Sequence, residues 1–401
     1  MKYNFDQEIK RQGTSSIKWE YYSQAEEQFG IIATDQFSGP NRALPMWVAD
    51  MDFQAPQPVI DALAARAQHG IFGYTARSED FIQAVVDWMK HRKKWPIEAD
   101  WIVSAPGVVP ALSLLVRTFV QPGEKVLIQP PVYHPFYYAV ENNAAELVRN
   151  PLNYADGRYT INFEDLATKA RDPQVKMVIL CHPHNPVGRV WSRDELTRFG
   201  EICLEQDVLI VSDEIHGDLL YPGVRFTPLA AIHEDFAQHS ITCSGGSKTF
   251  NLAGLHTSNI IIPNEDLRGQ YEKTLLSSGL MGSSIFGLVA LETAYREGGE
   301  WLEQVLSYIE GNKDYLQTFI EEHIPRLKLV EPEGTYLVWL DCREVGLGQE
   351  ELMQRLKDQG GVYLDSGTIF GPEGEGFVRM NIACPRSILK EALRKMSTVL
   401  H

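Results

Sequence analysis

Residues 1–45 mix polar and aromatic positions with no sustained period, which predicts an irregular arm rather than a packed unit. Apolar residues then recur at helical spacing over 59–69, where Pro58 suits a first helical position, and over 81–94, which has a basic end. Past residue 100 the period shortens. Strands are predicted over 101–104, 125–129, 175–181, 208–212, 240–243 and 258–262. The stretch 175–181 is almost continuously apolar, as a strand covered on both faces requires. Between these runs lie helical patterns. One follows the turn Ala105-Pro106-Gly107 and covers about 108–120; another starts at the cap Ser192, with Glu195 completing a capping box, and reaches about 206. From about 285 the pattern is helical, with a long helix over 300–322. A strand (335–341), a helix (349–359), a strand (377–382) and a helix (386–399) complete the chain.

This alternation describes an α/β protein with a mainly parallel central sheet between helices and a smaller C-terminal α/β unit. The expected division is an arm over 1–45 packing with the small unit, a large unit over 46–290, and the small unit over 291–401. No internal repeat or low-complexity linker interrupts it.

Composition narrows the partners. The formal net charge of −16 argues against nucleic acid and anionic membrane surfaces, and no run is long enough to span a bilayer. Five cysteines are scattered without CxxC spacing, mostly in apolar runs, so buried free thiols are expected. Residues 1–18 contain no apolar segment of the signal-peptide kind; with the thiols this predicts a cytoplasmic protein. Cys181, His182 and His184 lie too close to Pro183 and Pro186 to sit on a chelating helix, and no metal is expected.

Chemistry concentrates around Lys248. It stands among small and hydroxylated residues, with no acidic residue between Ser240 and Ile262. A lysine in an uncharged setting gives up its proton readily, the form that Schiff-base chemistry needs, and small residues let a phosphate approach the backbone. A solvated lysine in a glycine-rich surface loop would leave the same trace. What favours chemistry is placement: Gly107, Tyr133, Asn185, Asp213 and Lys248 each follow a predicted strand by a few residues. In open α/β sheets ligands bind beyond the carboxyl ends of the strands, so these five can share one crevice.

Taken in order, the motifs His184-Asn185-Pro186-Val187-Gly188, Asp213-Glu214-Ile215-His216, Ser247-Lys248 with Asn251 to Leu255, and Arg379-Met380-Asn381 resemble the fold-type-I pyridoxal-phosphate (PLP) enzymes, the aspartate aminotransferase superfamily of class I/II. The runs Trp47 to Phe53, Ser247 to Leu255 and Pro332 to Trp339 look most like its cystathionine β-lyase branch, the carbon–sulfur lyases. The resemblance implies that Lys248 holds PLP covalently and then acts as base at the substrate Cα. It implies that Asp213 pairs with the pyridine nitrogen, Asn185 donates to the ring's 3-oxygen and Tyr133 stacks on the ring, where it joins Lys248 as a catalytic residue. The phosphate would rest on the backbone of Gly107, Val108 and Val109 and on Ser247. Tyr74 would reach in from a second subunit to the phosphate and the substrate, implying a homodimer with shared active sites. Arg379 would clamp the α-carboxylate as a fork; an arginine inside an apolar strand needs an anionic partner. The plainer, less favoured alternatives are a turn residue before proline for Asn185 and core packing for either tyrosine.

Three positions depart from the wider superfamily. His256 stands eight residues after the lysine, where an arginine is usual. His216 replaces a tyrosine three residues after Asp213, which suits the lyase branch. Gly245 occupies a common serine position three before the lysine. The implied reaction is β-elimination from L-cystathionine or a related cysteine S-conjugate, giving thiol (homocysteine from cystathionine, a step toward methionine), pyruvate and ammonia. An aminotransferase, and a PLP-binding regulatory or interaction protein with little turnover, remain as alternatives.

Overall fold

The computed structural model describes residues 1–20, 43–280 and 283–400. A seven-stranded sheet forms its centre, in the order Ile102–Ala105, Ser258–Ile261, Ser240–Ser244, Leu209–Asp213, Val175–Cys181, Lys125–Ile128 and Glu146–Arg149. Ser258–Ile261 runs antiparallel to both neighbours; every other pairing is parallel. The expected strands fall within a residue or two of these bounds.

The near-continuous apolar strand Val175–Cys181 shows why the sheet is buried on both sides. Met177, Ile179 and Cys181 join one core, while Val175, Val178 and Leu180 join the other. Leu127 and Ile210 split from their neighbours in the same way. Each such side chain contributes about 1.5–3 kcal/mol on burial, so the period of two fixes the strand register against slippage. On one face Val108–Phe119 buries Ala111, Leu112, Leu115 and Val116. On the other, Arg193–Glu205 starts from the complete Ser192/Glu195 capping box and buries Leu196, Phe199 and Cys203. All five cysteines are buried and free.

The C-terminal part is built on a four-stranded, wholly antiparallel sheet in the order Lys328–Val330, Leu337–Asp341, Phe377–Asn381, Asp365–Ser366. The helices Gly299–His323 and Arg386–Ser397 contribute to the same apolar core. The helix expected over 349–359 ends as an α-helix at Gln354 and continues as π-helical turns over Arg355–Gln359.

A seam joins the two sheets. Leu44–Pro45 pairs with Val362–Tyr363, and Asn381 donates its Nδ2 to Val48 O (2.6 Å) and Asp50 O (2.7 Å). From the other side Asn251, three residues after Lys248, accepts from Met51 N and donates to Met51 O and Phe53 O. Residues 1–20 contain no helix or strand; they lie against Gly299–His323 through Tyr3–Gln304 and Asp6–Tyr308. Lys18, Arg11 and Trp19 all reach Asp52, at 2.6, 2.8 and 2.8 Å, which pins the seam from outside. Residues 21–42 of the expected arm lie outside the described residues.

Candidate active site

The pairings Cys181 with Asp213, Asp213 with Cys243, and both Ser244 and Ser104 with Asn259 put the ends of four strands level. The loops after them therefore open at one edge. Asp213 closes its strand at 4% exposure and makes no ion pair among the described residues; the Ile215 amide donates to its Oδ1 at 3.2 Å. Burial pushes its carboxyl up to about 7, with the Ile215 bond and the Lys248 charge opposing. A carboxylate so placed lacks a cationic partner.

Lys248 is half-buried, and its Nζ donates to Ala49 O at 2.7 Å. Burial pushes its pKa down to about 8, Arg379 adding to the fall while Asp50 and Asp213 hold it up. Tyr336 OH donates to the same Ala49 oxygen at 2.9 Å. Arg379, 4% exposed, donates to Asn185 Oδ1 (2.9 Å) and to Trp47 O (3.2 Å). Asp365, its cross-strand neighbour in register, takes a further N–H of the guanidinium. The anionic partner that an arginine in an apolar strand demands is thus supplied first by the protein itself. Phe370 packs under the guanidinium, 4.7 Å from its centre. Tyr133 donates its amide to Asn185 O at 3.0 Å, and burial pushes its phenol up to about 12. His216 is buried; desolvation drives its pKa well below the usual range, so the ring is neutral, and its Nδ1 has no hydrogen-bond partner.

Tyr133, Asn185, Asp213, His216, Lys248 and Arg379 are thereby brought together. Gly107 and Ser247 share the open edge: Gly107 follows Ala105 and precedes the helix Val108–Phe119, with φ 155° and Val108 buried beside it, while Val109 is exposed. Gly245 sits where a Cβ would approach Ser258 Cα and Oγ to 3.3 Å, so a buried Ser258 hydroxyl stands beside the position where a serine is usual. His256 is exposed, in the left-handed region at φ 51°. Tyr74 stands apart, wholly exposed (112%) on the loop after Gln57–His69. The sequence reading missed Asp365, Tyr336 and the carbonyls of Trp47 and Ala49. Tyr336 and 47–49 lay in motif runs that gave no hint of which atoms face the site; Asp365 sits in a two-residue strand too short to show a pattern.

The chemistry of this set fits PLP. A lone buried carboxylate suits a protonated pyridine nitrogen, the unpartnered His216 Nδ1 suits a ring oxygen, and the low-pKa amine suits an aldehyde. Comparison with known proteins gives the same class. The chain is 46% identical over 99% of its length to cystathionine β-lyase PatB of Bacillus subtilis, all of which is covered. It is 32% identical to protein MalY of Escherichia coli, covering 98% of this chain and 97% of MalY. Among solved structures, cystalysin of Treponema denticola, which contains a pyridoxal 5'-phosphate cofactor, superposes with a TM-score of 0.94 at 37% identity, covering 100% of this chain and 99% of cystalysin. The PLP-bound C-S lyase of Staphylococcus hominis gives 0.90 at 34%, covering 100% and 98%. The family model for aminotransferase class I and II matches residues 46–396, and the chain belongs to that family.

Proposed function

We propose that the protein is a PLP-dependent carbon–sulfur β-lyase acting on L-cystathionine or a similar cysteine S-conjugate. One observation carries the reading: Lys248 and Arg379 bind carbonyls two residues apart, Ala49 and Trp47, on the same seam. An amine and a guanidinium so spaced can meet the Cα and the carboxylate of one α-amino acid. Full-length identity to PatB supports the lyase over other activities of the family.

In this reading Lys248 would hold PLP through Nζ, Asp213 and Asn185 would bind the ring nitrogen and the 3-oxygen, and His216 Nδ1 would share the latter. The backbone at Gly107, Val108 and Val109 with Ser247, beside the Ser258 hydroxyl, would take the phosphate. Bound PLP supplies an electron sink conjugated to the substrate Cα. Arg379 grips the α-carboxylate, aligning the Cα–H bond; its Nε, buried without a partner, is the donor still to be satisfied. With its Nζ freed as the substrate amine takes its place, Lys248 would take the Cα proton, the Cβ–S bond would break, and the thiolate would leave to be protonated. The remaining aminoacrylate takes up water to give pyruvate and ammonia. Tyr336 and Lys248 share Ala49 O, so the phenol steadies the amine's position.

The unit over 46–290 would carry the cofactor and 291–401 the carboxylate clamp, with the arm steadying the seam. Homodimerisation through the loop bearing Tyr74 fits its exposed Ile71 and Phe72. A reducing, cytoplasmic setting fits the five free thiols. The test is a product assay with L-cystathionine. Stoichiometric pyruvate and thiol are expected; faster amino transfer between alanine and 2-oxoglutarate would replace the lyase by an aminotransferase.

A further inference from the structure

A second cavity, of about 480 Å³, lies outside the site just described and shares no residue with it. Five cations line it, Arg92, Lys93, Lys94, Arg193 and Arg225, against one carboxylate, Asp218. That ratio runs against the whole chain, where 53 acidic residues outnumber 37 basic ones. Local pairing uses up only part of the charge. Lys93 is neutralised by Asp218, both buried, with their charged atoms 2.7 Å apart. Arg92 is held by Glu303 at the protein surface. Lys94, Arg193 and Arg225 form no ion pair among the described residues; Arg193 donates only to Ile232 O, at 3.2 Å. Lys94 also sits at φ 57°, a left-handed turn position that glycine would fill without strain.

Like charges gathered in a concavity repel one another, and the arrangement costs stability unless an anion is bound there. The volume suits a small molecule rather than a polymer. Two exposed guanidinium forks, with the exposed Lys94 ammonium lining the same cavity, suit the several oxygens of a phosphate better than the two of a lone carboxylate. We propose that this cavity binds a phosphate-bearing small molecule at a site separate from catalysis. It lies next to the catalytic loop: Asp218 follows His216 by two residues, and Asp218 Oδ2 accepts from Thr249, the neighbour of Lys248, at 2.9 Å. The proposal goes beyond the β-lyase reading and does not depend on it.

Calorimetric titration of the PLP-loaded protein with inorganic pyrophosphate, in phosphate-free buffer, tests it. Loading with PLP keeps the cofactor's own phosphate cradle occupied. One saturable site per chain is expected, weakened tenfold or more in the Arg193→Ala/Arg225→Ala double variant, whose visible absorbance and melting temperature should match the parent. Because both arginines are exposed, the variant is not expected to lose its fold. Absence of a saturable site, equal affinity in the variant, or citrate binding as tightly as pyrophosphate would overturn the proposal.

Discussion

The loops of the seven-stranded sheet and the seam that faces them build their halves of the site in different ways. In the first half each group is set by its own strand: Asp213 ends one, Asn185 follows another, and Lys248 lies four residues past a third. That half's direct tie to the antiparallel sheet is the bond from Arg379 to Asn185 Oδ1. The second half has no such economy. Arg379 is fixed by Asp365, Asn185 and Trp47, partners 14, 194 and 332 residues away in sequence. The half proposed to hold the cofactor is thus a local consequence of topology, while the half proposed to hold the substrate is a meeting of distant segments. Small changes in the seam should therefore alter substrate handling while leaving the cofactor half intact.

The largest effect belongs to the cofactor half and is read by pH. Burial disfavours the charged ammonium, so Lys248 titrates at about 8. At pH 7 that leaves about one amine in ten neutral, against fewer than about one in a thousand for an ordinary lysine near 10.4. The rate at which the cofactor-free protein takes up PLP, followed by visible absorbance, should rise about tenfold per unit of pH and flatten above about 8. A rate still climbing through pH 10 would show that Lys248 is an ordinary lysine. Changes in the seam that keep Ala49 and the charges of Asp50 and Arg379 should not move this inflection.

Next in size is Arg379→Lys. The charge survives but the fork is lost, and Asn185 and Trp47 lose an aligned donor. Charge-assisted bonds contribute ~1.5–3 kcal/mol, and misorientation adds to the loss, so kcat/KM should fall about a hundredfold with PLP still bound. Loss of PLP along with activity would mean that the two halves are not separable.

The same contrast explains what the sequence could convey. Strand Val175–Cys181 and helix Arg193–Glu205 were legible because buried strands and capping boxes write themselves locally, in β-branched runs and in Ser192 with Glu195. The small sheet was harder. Its pairings are antiparallel, Asp365–Ser366 is two residues long, and Lys328–Val330 is three, too short to alternate visibly. Arg379 stood out as a charge in an apolar strand, but its partner did not, because cross-strand register is a property of pairing and not of either strand. The lysine loop's hold on the seam through Asn251 was likewise invisible; a positive φ of 59° and bonds to Met51 and Phe53 leave no periodic trace.

Asp365 gives the finest test of the seam. It lies beside Arg379 with both side chains buried, so its charge is felt at short range and with little screening. Asn at this position keeps the shape and an acceptor oxygen but removes the charge, while Asn185 and Trp47 O still hold the guanidinium. A positioning role therefore predicts a modest loss, about tenfold in kcat/KM, carried by KM and not by kcat, with the Lys248 inflection unmoved. The pH profile adds a signature that simple destabilisation would not produce. Burial raises the Asp365 carboxyl above its ordinary range, against the pull of Arg379, so it gains its proton at a higher pH than a free aspartate. Protonation removes the charge that steadies Arg379. In the parent, KM should then rise as pH falls through that titration, and Asp365→Asn should show the raised KM at every pH, with the dependence gone. A lower KM in the variant would reverse the assignment: Asp365 would then be competing with the substrate carboxylate for Arg379 rather than aiming it.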